Sequence, residues 1–310
     1  MTAAPARRDP ARRVPNRRRS LGEWYADPFR RPRVLAATTW IYIAWSIVPV
    51  LVAIRISFNA GRSRSSFQGW SLRWWTGDPA AALRDPQLLT AMRNSLWLGV
   101  LTMIVATPLG VALAIGLVRW RGYGRRPANV MMLVPLVTPE LVMGSSLYLV
   151  FTTLLTAVEL GRGAQLLGHV TFTISYVVVI VRGRLLTIGR DFEDAAHDLG
   201  ATPIQALRTV LLPLLGPAIF ASLMIVFATS IDDFVISAFL QGDASSETVP
   251  VKIYAGARRA PTPALNALAT AMMLITFTAI VFAMVLPRAL RRGRPDDGGS
   301  AVEDFAALDL

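Results

Sequence analysis

The chain has 310 residues, of which 53% are hydrophobic, and a mean hydropathy of +0.46, which is too apolar for an ordinary soluble domain of this size. It contains no cysteine, so disulfides, thiolate metal sites and thiol nucleophiles are excluded. The formal net charge of +12 comes almost wholly from arginine, because Lys252 is the single lysine of the sequence. Whether that charge indicates nucleic acid or a membrane depends on where the arginines lie relative to the apolar segments.

Six long segments carry almost no charge, and each approaches or exceeds the roughly 18 to 20 apolar residues that a helix needs to cross a bilayer. Backbone groups exposed to lipid must satisfy their own hydrogen bonds, so all six are predicted as α-helices. The sequence therefore predicts an all-α, polytopic membrane protein with six transmembrane helices inside residues 34–288. The predicted spans cover residues 35–54, 95–118, 129–154, 164–181, 214–240 and 264–286.

The basic residues fall unevenly on the two sides of these spans. Ten arginines precede the first span, four lie between the second and third, four between the fourth and fifth, and four follow the sixth, which places 22 on one side. Because cytoplasmic loops carry the excess of positive charge, both termini are predicted in the cytoplasm of a multi-pass protein of the cell inner or plasma membrane. The opposite side holds fewer charges over more loop residues: Arg62, Arg64, Arg73, Arg84, Arg93, Arg162, Lys252, Arg258 and Arg259.

The two ends of the chain are predicted to lie outside the membrane domain. Residues 1–33 form a basic arm with scattered prolines, which is typical of a disordered cytoplasmic segment. We interpret this arm as an orientation signal that touches anionic lipid headgroups, and not as a nucleic-acid-binding segment. The first apolar segment begins too late and is too long for a cleavable signal peptide. Residues 289–310 are predicted to form a polar, solvated cytoplasmic tail.

The stretch between the fourth and fifth spans is the most informative part of the sequence. Residues 191–198 are predicted to form a short helix with acids in its first turn, where the helix dipole favours them, and Gly200 is predicted to end it. Thr202 and Pro203 are typical of the N-cap and first position of a second helix. This pattern fits a compact protrusion that enters a groove of another protein, and it equally fits an amphipathic connector on the membrane surface.

This stretch resembles the conserved cytoplasmic loop of ABC importer permeases, whose pattern is Glu-Ala-Ala, three residues, Gly, nine residues, Ile, one residue, Leu-Pro. Every spacing is kept, with Asp194 in place of the usual Glu, after Glu193, and with Val210 in place of Ile. The resemblance implies that residues 191–213, here called the coupling loop, dock into a nucleotide-binding subunit. The residues assigned to that contact are Glu193, Asp194, Ala195, Ala196, Gly200, Val210, Leu212 and Pro213.

A phosphate-binding P-loop requires Gly-Lys followed by Ser or Thr, and the single lysine lies in Pro250-Val251-Lys252-Ile253. The chain is therefore predicted to be a transport subunit and not an enzyme, without a catalytic residue, metal site or bound cofactor. The resemblance implies that separate ATPase subunits use ATP and Mg²⁺, that a second permease subunit, identical or homologous, completes the pathway, and that an extracytoplasmic solute-binding protein delivers the solute. The segment from Phe58 to Arg93 would receive that protein, or its tryptophans would anchor it at the headgroup level.

Three acids lie inside the predicted spans, where an ionisable group costs roughly 2.5 to 3.5 kcal/mol on insertion scales. Glu140 lies in the third span, and Asp232 and Asp233 lie in the fifth. On a continuous helix Asp233 shares a polar stripe with several serines and a threonine, so it is predicted to face the substrate pathway more directly than Asp232. Because Arg55 is the one base near a span, such a pathway would favour cations.

Four further segments are similar to the spermidine/putrescine permease family, so the resemblance implies a small cationic solute, with a polyamine as first candidate. Related permeases for ferric iron, thiamine, sulfate or opine-like solutes share much of this framework, which leaves the solute open. The segments are Arg93-Asn94-Ser95-Leu96 with Pro108-Leu109-Gly110, Thr138-Pro139-Glu140-Leu141-Val142-Met143, Ser230-Ile231-Asp232-Asp233-Phe234-Val235-Ile236-Ser237, and Val249-Pro250-Val251-Lys252-Ile253-Tyr254 with Asn266-Ala267-Leu268-Ala269-Thr270.

Two other classes of membrane protein were weighed against this interpretation. An ion-coupled secondary transporter also uses broken helices and buried acids, but it has no need of the coupling-loop pattern. A membrane-embedded enzyme is disfavoured because the two histidines, His169 and His197, are predicted in different compartments, with no metal or nucleophile constellation beside either. His169 is interpreted as a packed polar residue of its helix, and His197 as a solvated neighbour of the coupling contact.

Overall fold

The structure, a computed structural model, describes residues 33–63, 66–120, 122–259 and 262–291. The described residues are mainly helical and include no β-strand, only an isolated bridge between Asn59 and Trp70. The predicted basic arm and polar tail lie almost wholly outside the described residues. The chain divides into two compact units, residues 1–51 and 52–310, and the packing described below is that of the second unit.

The described part of the chain forms α-helices that range from one turn to eight or nine turns. They are α1 Arg33–Ser57, α2 Pro86–Arg119, α3 Arg125–Met131, α4 Val134–Val137, α5 Glu140–Leu149, α6 Arg162–Ile188, α7 Asp191–Asp198, α8 Pro203–Ala206, α9 Leu212–Asp232, α10 Val235–Phe239, α11 Val249–Arg259 and α12 Pro263–Arg291. Wider π-type turns occupy Arg73–Gly77, Val150–Leu154 and Leu207–Leu211, and Ala244–Ser246 is a turn of 3₁₀ helix.

Five helical segments of the described chain are long and apolar enough to cross a membrane, which confirms five of the predicted spans. The structure extends four of them beyond the predicted bounds by several residues, because charged residues at helix ends, such as Arg93 and Arg182, are helical as well. The long segments are Val34–Ser57, Pro86–Arg119, Arg162–Ile188, Pro203–Asp232 and Pro263–Val285.

The third predicted span is not one helix. Segments Arg125–Val137 and Glu140–Leu154 meet at a bend of 105°. Thr138 is extended there, with ψ of 128°, because Pro139 disfavours the helical conformation of the residue before it and has no N–H to donate. The bend makes this region either a broken span or a re-entrant loop, so the described residues contain five candidate spans, or six if the bent pair is one span.

The fifth predicted span also differs from a single helix over residues 214–240. It begins earlier, at Pro203, where Thr202 and Gln205 form a capping box, as the sequence predicted for a second helix at this point. It ends at Asp232, because Asp233 is extended with ψ of 123°, and a short second helix, α10, follows. The prediction of one continuous helix through Asp233 is therefore wrong.

The centre of the second unit is formed by α2, α6 and α9, which pack on one another around a buried apolar cluster that includes Leu117, Val177 and Leu215. Glycines allow the close approach: a Cβ atom on Gly110 would lie 2.5 Å from the Cβ of Val177. Small residues at helix contacts are typical of membrane proteins, where lipid offers little hydrophobic drive for helix association. This three-helix core connects the two ends of α9, at which the candidate sites lie.

The segment between α1 and α2 folds back on itself through its aromatic residues. Trp74 is buried and donates from Nε1 to the carbonyl of Gly61, so it serves the fold of this segment. Trp75 stacks on Phe58 with ring centroids 5.3 Å apart, whereas Trp70 is 73% exposed. Of the three tryptophans predicted either to anchor this segment or to dock a partner, only Trp70 has a largely free face.

Candidate functional site

The coupling loop has the helix, turn and helix that the sequence predicted. Helix α7 carries acids in its first turn, and Gly200 adopts φ of +84°, a conformation that a side chain would strain, with open space around it. The hydroxyl of Thr202 accepts from the backbone N–H of Gln205 and so starts the next helix. His197 is exposed, and its Nδ1 lies 2.9 Å from the carbonyl oxygen of Ala201.

The residues assigned to the ATPase contact divide between the outside and the inside of this loop. Asp194, Ala195, Gly200 and Pro213 are exposed, whereas Val210 and Leu212 are half-buried. Two others face the rest of this chain. Ala196 packs inward, and the buried Glu193 forms an ion pair with Arg119 at the end of α2.

Three large apolar side chains of the coupling loop are exposed, and the sequence interpretation did not single them out. Leu199 is 90% exposed, Ile204 64% and Phe192 55%. Exposed apolar side chains in a segment outside the predicted spans mark a candidate interaction surface. The signal was present in the sequence, because these are the bulky apolar residues of residues 191–206, which are otherwise charged, polar or small. We call Phe192, Leu199 and Ile204 the apolar docking surface.

Glu140, Asp232 and Asp233 line one cavity of about 380 Å³, although Glu140 is far from the other two in the sequence. The two helix breaks bring them together: Glu140 is the first residue of α5, just after the 105° bend, and Asp232 is the last residue of α9. The other lining residues are Phe172, Ala228, Thr229, Phe234 and Val235. No basic side chain is among the described residues around the cavity, so its field favours a cation.

The two aspartates of this cavity have different roles in the structure. Asp232 is exposed, whereas Asp233 is buried and caps α10: its carboxylate accepts from the backbone N–H groups of Ile236 and Ser237, the latter at 2.8 Å. Asp232 is therefore the more exposed of the two acids, and the prediction that Asp233 faces the pathway more directly assumed a helix that the structure interrupts at Asp233. The break lets the Asp233 carboxylate accept from N–H groups of the next helix, which a side chain in the interior of one helix cannot do.

A buried polar cluster lies directly behind Asp233. His169 is 1% exposed; its Nδ1 lies 2.8 Å from the Ser230 hydroxyl, and its Nε2 lies 3.1 Å from the Ser237 hydroxyl and 3.3 Å from an Asp233 carboxylate oxygen. The interpretation of His169 as a packed polar residue is confirmed. The expectation that no nucleophile constellation accompanies it is wrong, since a serine, a histidine and an aspartate meet here.

That cluster does not have the access that catalysis needs. His169, Ser230 and Ser237 are all almost fully buried among α2, α6, α9 and α10. A reacting group requires an open position about 3 Å from the nucleophile, and the ring nitrogens of His169 are both occupied by neighbouring side chains. Within the described residues, no group of three or more carboxylates and histidines is placed to hold a metal ion.

The acidic cavity and the coupling loop lie at opposite ends of α9, a helix of 21 residues that spans about 30 Å. One end presents negative charge to a small cavity, and the other carries exposed apolar side chains. A helical fold with several candidate membrane spans and an acidic cavity between them is typical of a membrane transport component.

The comparison with known protein families also indicates a membrane transport component. The chain belongs to the family of binding-protein-dependent transport system inner membrane components, whose model matches residues 106–294. It is accordingly a transport subunit and not an enzyme. The matched region includes the 105° bend, the coupling loop and both ends of α9.

Individual relatives cover nearly the whole membrane domain. The chain is 33% identical over 259 residues to the spermidine/putrescine transport system permease protein PotC of Escherichia coli K12, which covers 84% of this chain and 95% of that protein. It is 34% identical over 252 residues to the putrescine transport system permease protein PotI of the same strain, covering 80% of this chain and 86% of that protein. A third relative, PotC of Haemophilus influenzae, is 31% identical over 252 residues.

Among solved structures, the fold is similar to a bacterial ABC transporter involved in import of the acidic polysaccharide alginate, with a TM-score of 0.68, 15% identity, and coverage of 86% of this chain and 99% of that chain. A bacterial alginate ABC transporter in complex with an alginate pentasaccharide-bound periplasmic protein matches with a TM-score of 0.62 and 16% identity, over 83% of this chain and 94% of that chain. At these identities the likeness concerns the fold alone.

Proposed function

We propose that this chain is the permease subunit of an ATP-driven importer that moves a small organic cation of the polyamine class. The observation that carries the proposal is the acidic cavity, where Glu140 and Asp232 are both exposed and no base is among the described lining residues. A polyamine carries several positive charges along a flexible aliphatic chain, and Phe172 and Phe234 offer apolar and cation–π contact between the acids. The names of the relatives from Escherichia coli support the same class of solute.

We further propose that the coupling loop docks a separate ATPase subunit through the apolar docking surface, with Asp194, Ala195 and Gly200 at its exposed edge. The ATPase subunits would use ATP and Mg²⁺, a second permease subunit would complete the pathway, and an extracytoplasmic solute-binding protein would deliver the cation. Binding of the ATPase at one end of α9 shifts the population between two states of the cavity at the other end.

The orientation is part of the proposal. The excess of arginine supports a cytoplasmic position for both termini and the coupling loop, and in that orientation the acidic cavity would lie in the outer half of the inner membrane. Since the chain has no cysteine, single-cysteine variants give a clean test of this topology. Leu199→Cys should react with a membrane-impermeant maleimide only in inverted vesicles, and Trp70→Cys only in right-side-out vesicles. The reverse pattern would refute the orientation.

The function is tested by uptake in proteoliposomes that contain this chain, its ATPase, its second permease subunit and its binding protein. Labelled spermidine and putrescine should accumulate with ATP and should be displaced by each other. Glu140→Gln and Asp232→Asn should each lower the uptake rate by about tenfold, the equivalent of about 1.4 kcal/mol, because each removes one charge from the cavity.

Glu159→Gln is the matched control, since Glu159 is an exposed acid that is not among the lining residues of the cavity. It should leave uptake unchanged. Normal uptake in both cavity variants would refute the assigned pathway. Uptake of ferric iron or thiamine in place of both polyamines would keep the importer and refute the solute class.

A further inference from the structure

The buried cluster behind the cavity connects four separate helices. The His169 ring lies on α6, Ser230 near the end of α9 and Ser237 in α10, and the hydroxyl of Thr102 in α2 lies 3.4 Å from that of Ser230. All four side chains are almost completely buried. Breaking a hydrogen bond in such a place leaves an unsatisfied polar group away from water, which is more costly than the loss of an exposed contact.

The partners of His169 bracket the exposed acid of the cavity. Ser230 precedes Asp232 by two residues, Asp233 follows it directly, and Ser237 lies one turn into α10. The imidazole thus contacts both helices that meet at the break, one through each ring nitrogen. A tautomer with its proton on Nε2 fits these contacts, because Nε2 can then donate toward Asp233 or Ser237 while Nδ1 accepts from Ser230.

A simple packing role would not require this arrangement. A buried polar residue of a helix is commonly satisfied within its own helix, as is Thr173, whose hydroxyl donates to the carbonyl of His169 at 2.7 Å. His169 instead makes all its side-chain contacts across the interface, to residues on the two sides of Asp232. Gln165, one turn earlier on α6, adds a bond from Nε2 to the Ser237 carbonyl at 3.0 Å and so holds the start of α10 from the same face.

We propose that His169 is a positioning residue for cation transport: it holds the break between α9 and α10 in the geometry that directs Asp232 into the cavity opposite Glu140. This inference rests on the proposed function, since it assigns a role within the same acidic site. His169 itself is buried behind Asp233 and does not line the cavity, so it acts through the backbone of the break and not by contact with the solute.

The test compares two uncharged replacements in the complete transporter. His169→Leu removes both polar contacts, whereas His169→Gln keeps an amide that can donate to Asp233 or Ser237. We expect His169→Leu to lower polyamine uptake by about tenfold, with normal co-purification of the ATPase and normal basal ATP hydrolysis, and we expect His169→Gln to stay within about threefold of the unaltered chain. Thr173→Val is the control, because it removes a buried hydroxyl of the same helix that does not reach the break; its uptake should be unchanged.

A double-mutant cycle with Asp232→Asn separates positioning from an independent contribution. If His169 acts through Asp232, the double variant should transport no more slowly than Asp232→Asn alone. If the losses in uptake rate of the two single variants multiply in the double variant, the inference is overturned. A loss of uptake in Thr173→Val as large as that in His169→Leu would overturn it as well. If His169→Leu does not assemble, Ser230→Ala and Ser237→Ala, which keep the imidazole, replace it in the same cycle. Each double variant with Asp232→Asn should then transport no more slowly than Asp232→Asn alone, and multiplied losses would again overturn the inference.

Different results would refute the acidic pathway and the positioning role of His169. If Glu140→Gln and Asp232→Asn both transport normally, the acidic pathway is wrong whatever His169 does. If Asp232→Asn is impaired and His169→Leu is not, the pathway stands and the positioning role is refuted.

Discussion

The two ends of α9 are built by different means. At the coupling loop, the structure rests on local devices: acids in the first turn of α7, a glycine with positive φ, and a capping box between Thr202 and Gln205. At the acidic cavity, it rests on contacts between residues 60 to 130 positions apart in the sequence, above all those of His169. The proposed surface for a macromolecular partner is therefore built from local contacts, whereas the proposed site for a small cation requires the assembled bundle.

The coupling end should be the more sensitive to a single exposed substitution. Gly200→Glu places a charge and a bulky side chain in a left-handed position next to the apolar docking surface, and we expect it to abolish stimulation of the ATPase by loaded binding protein, by about 30-fold or more. Stimulated and basal ATP hydrolysis in proteoliposomes measure the effect. Gly200→Ala is the control for backbone strain, since it has the same φ requirement without the charge, and it should retain most stimulation. Equal loss in both variants would attribute the effect to strain and not to docking.

The packed core of α2, α6 and α9, which joins the two ends of α9, should lose stability when one methyl group is added. A Cβ on Gly110 would lie 2.5 Å from Val177 Cβ and 3.2 Å from the carbonyl oxygen of Ile174, neither of which can move freely. Gly110→Ala should therefore destabilise the protein by about 1–3 kcal/mol, seen as a lower Tm in detergent. Gly116→Ala, in the same helix with no atom within 4 Å of the added Cβ, should not lower the Tm. An equal drop in both would contradict close packing of α2 on α6.

The ion pair of the coupling loop should have a smaller effect than Gly200. Arg119→Gln leaves the buried Glu193 carboxylate without its partner, and we expect recovery of the ATPase in co-purification to fall by roughly threefold to tenfold, about 1 kcal/mol. Arg125→Gln, which removes an exposed charge beside the same ion pair, serves as the control. If both variants recover the ATPase alike, the pair does not position the loop.

The smallest effect is expected in the segment before α2. The backbone N–H of Ala80 and the Arg73 guanidinium both donate to the Asp78 carboxylate, and they lower its pKa from the ordinary value. This half-buried contact should stabilise the segment at neutral pH and lose its effect as the pH falls below about 4 and through the lowered pKa of the folded state. The Tm of Asp78→Asn should therefore be slightly lower than that of the unaltered chain at pH 7, and the difference should shrink as the pH falls. A difference that grows on acidification would contradict the sign.

The sequence predicted the form of the coupling loop more completely than that of the acidic cavity. Residues 191–203 were predicted correctly down to the cap at Thr202, because each signal lies within one helical turn of the residue it affects. The three acids were singled out by their cost in a membrane, and the structure does bring them to one cavity. The ranking of Asp233 above Asp232 stays a prediction, and it assumed one helix over residues 214–240, which the structure interrupts at Asp233.

The sequence by itself determined the helical class, the apolar lengths of five long segments and the form of the coupling loop, because hydropathy and capping act over neighbouring residues. Only the tertiary structure decided that Asp233 is buried while Asp232 is exposed, that Glu193 pairs with Arg119, and that His169 joins both sides of a helix break. These facts depend on which distant side chains meet in the packed bundle. A buried polar group must find its partner wherever the fold places one, and no local pattern specifies that place.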